Sequence, residues 1–178
     1  MPSITKLSKF LSLVLRHKPD TIGLSLDEGG WAEIDRLVEK AGKAGMQMNA
    51  ALVRQVVATS DKQRFCISPD GTHIRANQGH SIPVELMLNE SQPPDLLYHG
   101  TAIQNIRSIR NVGIRPEKRN YVHLSPNAEM AFKVGGRHGK PVVLTILAAD
   151  MFQNGIKFFL SENGIWLTDY VAPEYLIR

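Results

Sequence analysis

The stretch that decides the fold of the first half of the chain is RFCISPDGTHIRAN, residues 64–77. At its centre, Pro69-Asp70-Gly71 is a strong turn signal, because proline fixes one backbone angle and glycine tolerates a positive φ. The flanking segments, Arg64–Ser68 and Thr72–Asn77, are typical of short strands. Together these features predict a β-hairpin.

Three helices and one short strand are predicted upstream of the hairpin. Apolar residues at positions i, i+3, i+4 and i+7 mark the first helix, which Lys18-Pro19 ends. The alternation in residues 22–26 predicts a short strand. Asp35 and Asn49 are typical N-caps of a second and a third helix. Three helices followed by a two-stranded hairpin form the pattern of a winged helix, which usually handles nucleic acid.

A domain boundary is predicted where the composition changes. Ser91–Pro94 is typical of a linker, so residues 1–92 form one predicted domain and residues 93–178 another. The second domain alternates short strands with two short helices, which predicts an α+β fold with a mixed sheet. Its predicted strands are residues 96–99, 121–124, 142–147, 158–160 and 165–168.

Turn and cap residues set the predicted limits of elements in the second domain. Gly113 and Gly135-Gly136 are expected to end its two helices, and Asn163-Gly164 predicts a hairpin between the last two strands. Ser125-Pro126 predicts the start of the second helix, because serine is a common N-cap and proline is common at the first helical position. The free N–H groups at that helix N-terminus would suit an anion.

The composition is that of a folded globular chain. The sequence has 178 residues, of which 43% are hydrophobic and 21% are charged, so long disorder is not expected. No apolar run approaches the roughly 18 residues of a membrane helix, and the N-terminal residues lack the pattern of a signal peptide. The single cysteine, Cys66, excludes an internal disulfide and a cysteine-based zinc cage. We therefore expect a cytoplasmic protein with no membrane partner.

Basic residues are concentrated in one segment of the second domain. The chain carries a net charge of +4, and the segment from Arg107 to Lys140 holds eight lysines and arginines but only two acids, Glu117 and Glu129. This excess predicts docking of phosphate groups. A basic face that is merely solvated is the alternative that the count leaves open. The eight cations are Arg107, Arg110, Arg115, Lys118, Arg119, Lys133, Arg137 and Lys140.

Five short segments carry most of the residues suited to chemistry. They are LRHKP (15–19), HIRANQGHS (73–81), YHGT (98–101), YVHLSP (121–126) and GGRHGKP (135–141). Their arginines offer forked donors that suit phosphate. Each also allows a structural interpretation: Arg16 and His17 can complement a helix dipole, and Arg75 can be a solvated strand residue. The histidines lack metal-binding spacing, so no metal site is predicted. Neither a Walker loop nor GxGxxG is present, so a bound nucleotide would use neither of these common schemes.

Six motifs occur in the order typical of one enzyme family. They are LxxVLRHKP, RANQGHS, YHGT, YVHLS, GGRHGKPVVL and NGxWLT, and the similarity around them extends from about Leu7 to Leu176. In these motifs, over essentially its whole length, the chain resembles the RNA 2'-phosphotransferase family. The resemblance implies an N-terminal winged-helix lobe and a C-terminal lobe with the ADP-ribosyltransferase fold.

The resemblance also implies an activity, namely NAD-dependent removal of an internal 2'-phosphate from RNA, as at a tRNA splice junction. The phosphate would attack the anomeric carbon of the nicotinamide ribose and expel nicotinamide, giving a 2'-phospho-ADP-ribosyl RNA. The ribose 2''-hydroxyl would then attack phosphorus, leaving 2'-hydroxyl RNA and ADP-ribose 1'',2''-cyclic phosphate. RNA and NAD are the implied partners, with no metal and no obligate protein partner.

Two sets of site residues follow from the resemblance. The implied catalytic residues are Arg16, His17, Arg75 and Arg137. The implied NAD-binding residues are His99, Gly100, Thr101, His123, Leu124 and Ser125. We expect the three arginines to be exposed in a cleft between the domains, where they would hold the phosphate bidentately.

One departure from related enzymes bears on the reaction. ADP-ribosyltransferases that modify proteins typically carry a glutamate on a late strand, and the aligned residue here is Ile165, with Glu162 on the preceding turn. A phosphate dianion is already a nucleophile, so the missing base favours RNA phosphate chemistry. Two alternatives stay open: a transferase that caps terminal phosphates of RNA or DNA with ADP-ribose, and a non-enzymatic winged-helix binder of nucleic acid.

Overall fold

Helices and small antiparallel sheets make up the computed structural model, which describes residues 2–177. The predicted α+β class is confirmed. The chain divides after Met87 into two compact units, a few residues before the linker predicted at Ser91–Pro94. The winged-helix and ADP-ribosyltransferase assignments of the two units stay predictions. Within the described residues, no helix is both long enough and apolar enough to cross a membrane.

The first unit packs three helices against a three-stranded sheet. Its helices are α1 (Ile4–Arg16), α2 (Ile34–Lys43) and α3 (Ala50–Ala58), and its strands are β1 (Ala32–Glu33), β2 (Phe65–Ile67) and β3 (His73–Ala76). The strand order is β1-β3-β2, with every pairing antiparallel. The predicted hairpin is confirmed, and Cys66 lies opposite Arg75 in it. Leu11, Leu37 and Ile74 are fully buried in the core that these elements share.

Two local predictions for the first unit are wrong. Residues 22–26 do not form a strand. The N–H of Gly23 donates to the Asp20 carbonyl at the end of a 3-10 turn over Pro19–Ile22, and the N–H of Leu24 donates to the Pro19 carbonyl. Asp35 is not an N-cap, since α2 begins one residue earlier after Glu33 and Asp35 lies in its first turn. The Asn49 cap is confirmed, with its side chain accepting from the Leu52 N–H at 2.8 Å.

The second unit contains two small sheets instead of one mixed sheet. Every strand pairing among its described residues is antiparallel, so the predicted mixed sheet is wrong. The sequence pattern marks strands but not their direction, which only pairing sets. One sheet has the order β4-β6-β9, with β4 (Leu96–Ala102), β6 (Pro141–Leu147) and β9 (Leu176–Ile177). The other has the order β5-β8-β7, with β5 (Val122–Leu124), β7 (Phe159–Leu160) and β8 (Trp166–Thr168).

The helices of the second unit are α4 (Ile106–Val112), α5 (Ala128–Gly135) and α6 (Ala148–Gln153). The predicted ends of α4 and α5 are confirmed at Gly113 and Gly136. The predicted cap at Ser125 is wrong, because Asn127 caps α5 and accepts from the Met130 N–H at 2.8 Å. Ser125 instead pairs with Tyr98 through two backbone hydrogen bonds of 3.0 and 2.7 Å, which join the two sheets.

Two glycines let α5 pack directly on β4. A Cβ atom at Gly100 would lie 1.6 Å from the carbonyl oxygen of Ala131. A Cβ atom at Gly135 would lie 2.8 Å from the carbonyl oxygen of Thr101. Since backbone meets backbone here, no side-chain rotation relieves such a clash. The helix and the strand can therefore approach this closely only without a side chain at position 100.

We predict that Gly100→Ala destabilises the protein by about 1–3 kcal/mol or more, because α5 must move away from β4 to admit the methyl group. Gly42→Ala is the control, since Gly42 lies in α2 with open space around its Cβ position. Alanine there should stabilise the helix by about 0.5–1 kcal/mol. Thermal and denaturant unfolding measure both changes. Equal stability of the two variants would contradict this account of Gly100.

Candidate functional site

The two polar motifs of the first unit come together at the C-terminal end of α1. The N–H of Ser81 donates to the carbonyl of Arg16 at 2.9 Å. The Ser81 hydroxyl lies 2.9 Å from Nδ1 of His17 and is hydrogen-bonded to it. Segment 77–81, which follows β3, is thereby tied to Arg16 and His17. The structure thus brings LRHKP and RANQGHS side by side.

Arg16 is half-buried against the strand that carries Phe65. Its Nη2 donates to the carbonyl of Arg64 at 3.3 Å, and its Cζ lies 5.8 Å from the centre of the Phe65 ring. The backbone of Gly79 passes the same guanidinium with φ +89°, an angle that favours glycine. These contacts fix the position of the Arg16 guanidinium.

Arg75 is more buried than the sequence predicts. Only 9% of its surface is exposed, its Cζ lies 4.6 Å from the centre of the Trp31 ring, and its Nη1 donates to the carbonyl of Leu86 at 3.4 Å. The prediction of an exposed side chain is wrong, because Trp31 and the segment that contains Leu86 cover this face of the sheet. A cation held over an aromatic face is stabilised by the negative potential of the ring.

His80 lies where the charges of these residues converge. Its side chain is buried, with 3% exposed. Burial, together with the charges of Arg16, His17 and Arg75, lowers the pKa of the His80 imidazole to about 4. The ring is therefore uncharged at neutral pH. The charges of three of the four predicted catalytic residues thus act on one buried imidazole, which is part of the RANQGHS motif but not among the residues that the resemblance implies.

In the second unit, three of the predicted NAD-binding residues lie where β4 and β5 meet. Nδ1 of His99 donates to the carbonyl of His123 at 3.3 Å. Ser125 follows directly and forms the backbone pair with Tyr98. Burial lowers the pKa of the His99 imidazole, and its hydrogen bond to the His123 carbonyl opposes that shift. This junction therefore places an uncharged imidazole beside the buried ends of β4 and β5.

The remaining predicted NAD-binding residues have internal contacts of their own. Gly100 packs against α5, and Leu124 is fully buried. The hydroxyl of Thr101 accepts from Nδ2 of Asn105 at 3.1 Å. These three residues can therefore serve a ligand through backbone groups or by holding their neighbours in place.

Arg137, the fourth predicted catalytic residue, is exposed in the loop after α5. Its N–H donates to the carbonyl of Val134 at 3.2 Å. Partial burial lowers the pKa of the Arg119 guanidinium, and the charge of Arg137 lowers it further. Arg137 thus has a like-charged neighbour in its own unit. Its role together with the cluster in the first unit stays a prediction.

Both units thus hold clustered cations and imidazoles on an α+β framework, which defines a protein that handles anions. Within residues 2–177, no group of three or more histidine, cysteine, aspartate or glutamate side chains is arranged to hold a metal ion. Comparison with known proteins identifies the family to which this anion-handling protein belongs. The model of the family described as RNA 2'-phosphotransferase, Tpt1 / KptA family, matches residues 2–170.

Full-length relatives agree with the family match. A "Probable RNA 2'-phosphotransferase" of Flavobacterium johnsoniae is 51% identical over 170 residues, covering 96% of this chain and 93% of the relative. One from Escherichia coli is 52% identical and covers 97% of this chain and 95% of the relative. One from Burkholderia lata is 49% identical and covers 98% and 91%. The chain belongs to the RNA 2'-phosphotransferase family and is a transferase, so the resemblance seen in the motifs is confirmed.

Arg75 is buried and Arg137 is exposed, so measurements of stability can distinguish these two predicted catalytic arginines. We predict that Arg75→Ala lowers the free energy of unfolding by about 2 kcal/mol, because it removes the contact with Trp31 and a charge-assisted hydrogen bond. Arg137→Ala is the comparison and should leave the unfolding midpoint unchanged, since Arg137 is exposed. Transferase activity should fall about 10- to 150-fold in both variants. An unchanged midpoint in Arg75→Ala would contradict its buried position.

His80 makes stability depend on pH. Folding lowers its pKa from 6.5 to about 4, so its contribution is complete above pH 6.5 and is lost as the pH falls toward 4. The expected loss relative to neutral pH is about 2 kcal/mol at pH 5 and about 3 kcal/mol at pH 4. This part of the pH dependence should be absent from the His80→Gln variant. The control variant His138→Gln should show the same pH dependence as wild type, because His138 is exposed. Denaturant unfolding at several pH values measures the slopes, and parallel slopes for wild type and His80→Gln would refute the assignment.

Proposed function

We propose that this chain removes an internal 2'-phosphate from RNA by transferring it to NAD, with release of nicotinamide. The observation that carries the proposal is the convergence of Arg16, His17 and Arg75 around buried His80 in a chain of this family. The relatives' names support the 2'-phosphate of RNA as the group transferred. The use of NAD rests on the resemblance in the motifs YHGT and YVHLS.

Arg16 and Arg75 are suited to hold the phosphate. A phosphate monoester carries nearly two negative charges at neutral pH, and a planar guanidinium can bind it through two parallel hydrogen bonds. The contacts with Phe65 and Trp31 hold both side chains in place before the anion arrives. A preorganised cation stabilises charge that develops on the phosphate oxygens without further rearrangement.

His17 is placed to move a proton. It is exposed at the end of α1, and the hydrogen bond of its Nδ1 to the Ser81 hydroxyl orients the ring. An imidazole can accept or donate a proton through its ring nitrogens as the 2''-hydroxyl attacks phosphorus. Ser81 is then a positioning residue, which acts through His17.

The β4–β5 junction fits NAD as a co-substrate. The uncharged ring of His99 and the polar groups of His123 and Ser125 lie together there, and such groups suit the ribose and phosphates of a dinucleotide. NAD, when bound, would supply the anomeric carbon as the electrophile and a ribose hydroxyl as the group that accepts the phosphate. The residues of the chain hold the reactants and need not provide a nucleophile.

The region before β8 supports a phosphate as the nucleophile. Ile165 stands where protein-modifying ADP-ribosyltransferases are expected to carry a glutamate, and its N–H donates to the Ser161 hydroxyl at 3.1 Å. A protein hydroxyl or amine would require a base at this point, whereas a phosphate dianion does not. The absence of a carboxylate at position 165 therefore favours RNA phosphate as the acceptor.

The proposal is tested with a short RNA that bears one internal 2'-phosphate. Incubation with NAD should yield 2'-hydroxyl RNA, nicotinamide and ADP-ribose 1'',2''-cyclic phosphate. With an NAD analogue that lacks the 2''-hydroxyl, the first step should still release nicotinamide. The second step should not occur, so the RNA should accumulate as a 2'-phospho-ADP-ribose adduct. Chelator should leave the rate unchanged, since the proposal assigns charge neutralisation to arginines. Mass spectrometry of the RNA and chromatography of the small products measure these outcomes.

Three controls separate the alternatives. RNA without the 2'-phosphate should release no nicotinamide. Free 2'-hydroxyl RNA formed with the deoxy analogue would indicate direct hydrolysis and would refute the transfer to NAD. A stable ADP-ribose adduct on a terminal phosphate, formed with ordinary NAD, would instead identify a capping enzyme.

A further inference from the structure

Segment 106–119 of the second unit, which we call the basic segment, presents an unusual density of positive charge. It contains one acid, Glu117, and five cations, all five exposed. Arg107 and Arg110 lie on α4, three residues apart and therefore on one side of the helix. The others follow in the connection to β5. The five cations are Arg107, Arg110, Arg115, Lys118 and Arg119.

The basic segment is held firmly to the core of its unit. Ile109, on the inner side of α4, is buried in the core. Tyr170 donates its hydroxyl to the carbonyl of Val112 at 2.8 Å, at the end of the helix. Ile114 pairs with Val171 through two backbone hydrogen bonds of 2.8 and 3.1 Å. The outward arginines of α4 are therefore carried by a fixed backbone, which lowers the entropy lost when a ligand binds.

Some exposed cations elsewhere in the chain are neutralised in ion pairs with neighbouring acids. Examples are Arg36 with Glu33 at 3.1 Å, Lys43 with Glu39, and Lys133 with Glu129 at 2.7 Å. Within residues 2–177, no carboxylate forms such an ion pair with any of the five cations of the basic segment. Their charge is thus left for an anion from outside the chain.

The basic segment also leads toward a predicted catalytic residue. The N–H of Arg119 donates to the carbonyl of Pro116 at 3.0 Å and closes a turn at the end of the segment. The guanidinium of Arg119 is close enough to Arg137 for the two charges to oppose each other. The charge of Arg137 therefore acts on the last cation of the basic segment.

We infer that the basic segment binds the sugar–phosphate backbone of the single-stranded RNA on one side of the nucleotide that carries the 2'-phosphate. Charge complementarity selects this occupant, since consecutive phosphates match a row of exposed, unpaired guanidinium groups. The inference rests on the proposed function for the identity of the anion. It assigns to α4 a part in holding the RNA chain that is separate from the chemistry at the phosphate.

The test compares two double variants that remove the same charge. Arg107→Gln/Arg110→Gln removes two cations of the basic segment, and Arg36→Gln/Lys43→Gln removes two exposed, ion-paired cations of α2. For each, KM is measured with a 2'-phosphorylated dinucleotide and with an RNA of about 20 nucleotides that carries one 2'-phosphate. Kd for the unphosphorylated RNA is measured by fluorescence anisotropy at several salt concentrations, and thermal unfolding confirms that both variants fold.

The basic-segment variant should raise KM for the long RNA about tenfold, and at least about fivefold more than KM for the dinucleotide. The slope of log Kd against log salt should fall by about one unit, since each phosphate contact contributes roughly 0.7 for a single strand. The α2 variant should match wild type. An equal change in the two variants, or an equal change for the two substrates, would overturn the inference.

The binding measurement also separates this inference from the proposed function. If wild type fails to turn over either substrate, the proposed function fails, and Kd for the unphosphorylated RNA decides the inference alone. Weaker RNA binding by the basic-segment variant than by the α2 variant supports it, and equal binding overturns it. A third result would also overturn the inference: the basic-segment variant loses binding to phosphatidylserine vesicles but binds RNA as well as the α2 variant does. That result would indicate that the basic segment binds a lipid surface.

Discussion

Repulsion between like charges is the constraint on which the candidate site of the first unit depends. Two guanidiniums and two imidazoles gather there, and no carboxylate acts on the central ring of His80. Contacts with an aromatic ring and with backbone carbonyls offset part of this repulsion. The ring of Trp31 and the carbonyls of Arg64 and Leu86 hold the arginines, while His80 stays uncharged. A carboxylate would relieve the repulsion more simply but would also occupy the anion site. The arrangement makes sense if an external phosphate completes it.

In the second unit, close backbone packing brings strand ends and a helix together. The glycine contact between α5 and β4 sets how closely the helix approaches, and the Tyr98–Ser125 pair fixes the two sheets against each other. His99 and His123 occupy the junction that results. Residues that the motifs mark as NAD-binding therefore include both direct candidates and residues whose part is to build the junction. Motif membership alone does not distinguish these two roles.

Membership of the RNA 2'-phosphotransferase family indicates that the anion is a phosphate on RNA. The positions of the cations indicate, in addition, which surface suits which part of that RNA. The compact cluster around His80 suits one phosphate group with two charges. The basic segment, spread over α4 and the turn after it, suits a chain of phosphates instead. One surface would thus hold the reacting group and another the RNA that carries it. This division explains why so many cations of the second unit lie outside the predicted catalytic set.

The sequence by itself determined the features that depend on neighbouring residues. The turn at Pro69-Asp70-Gly71, the Asn49 cap and the end of α4 at Gly113 all follow from local backbone preferences. Motif order likewise sufficed to identify the family. Only the tertiary structure decided which strands pair, since residues 22–26 alternate correctly but find no partner. It also decided the burial of Arg75, the internal contact of Gly100 and the convergence of charges on His80. Each of these depends on atoms that are distant in sequence, and local preference carries no information about them.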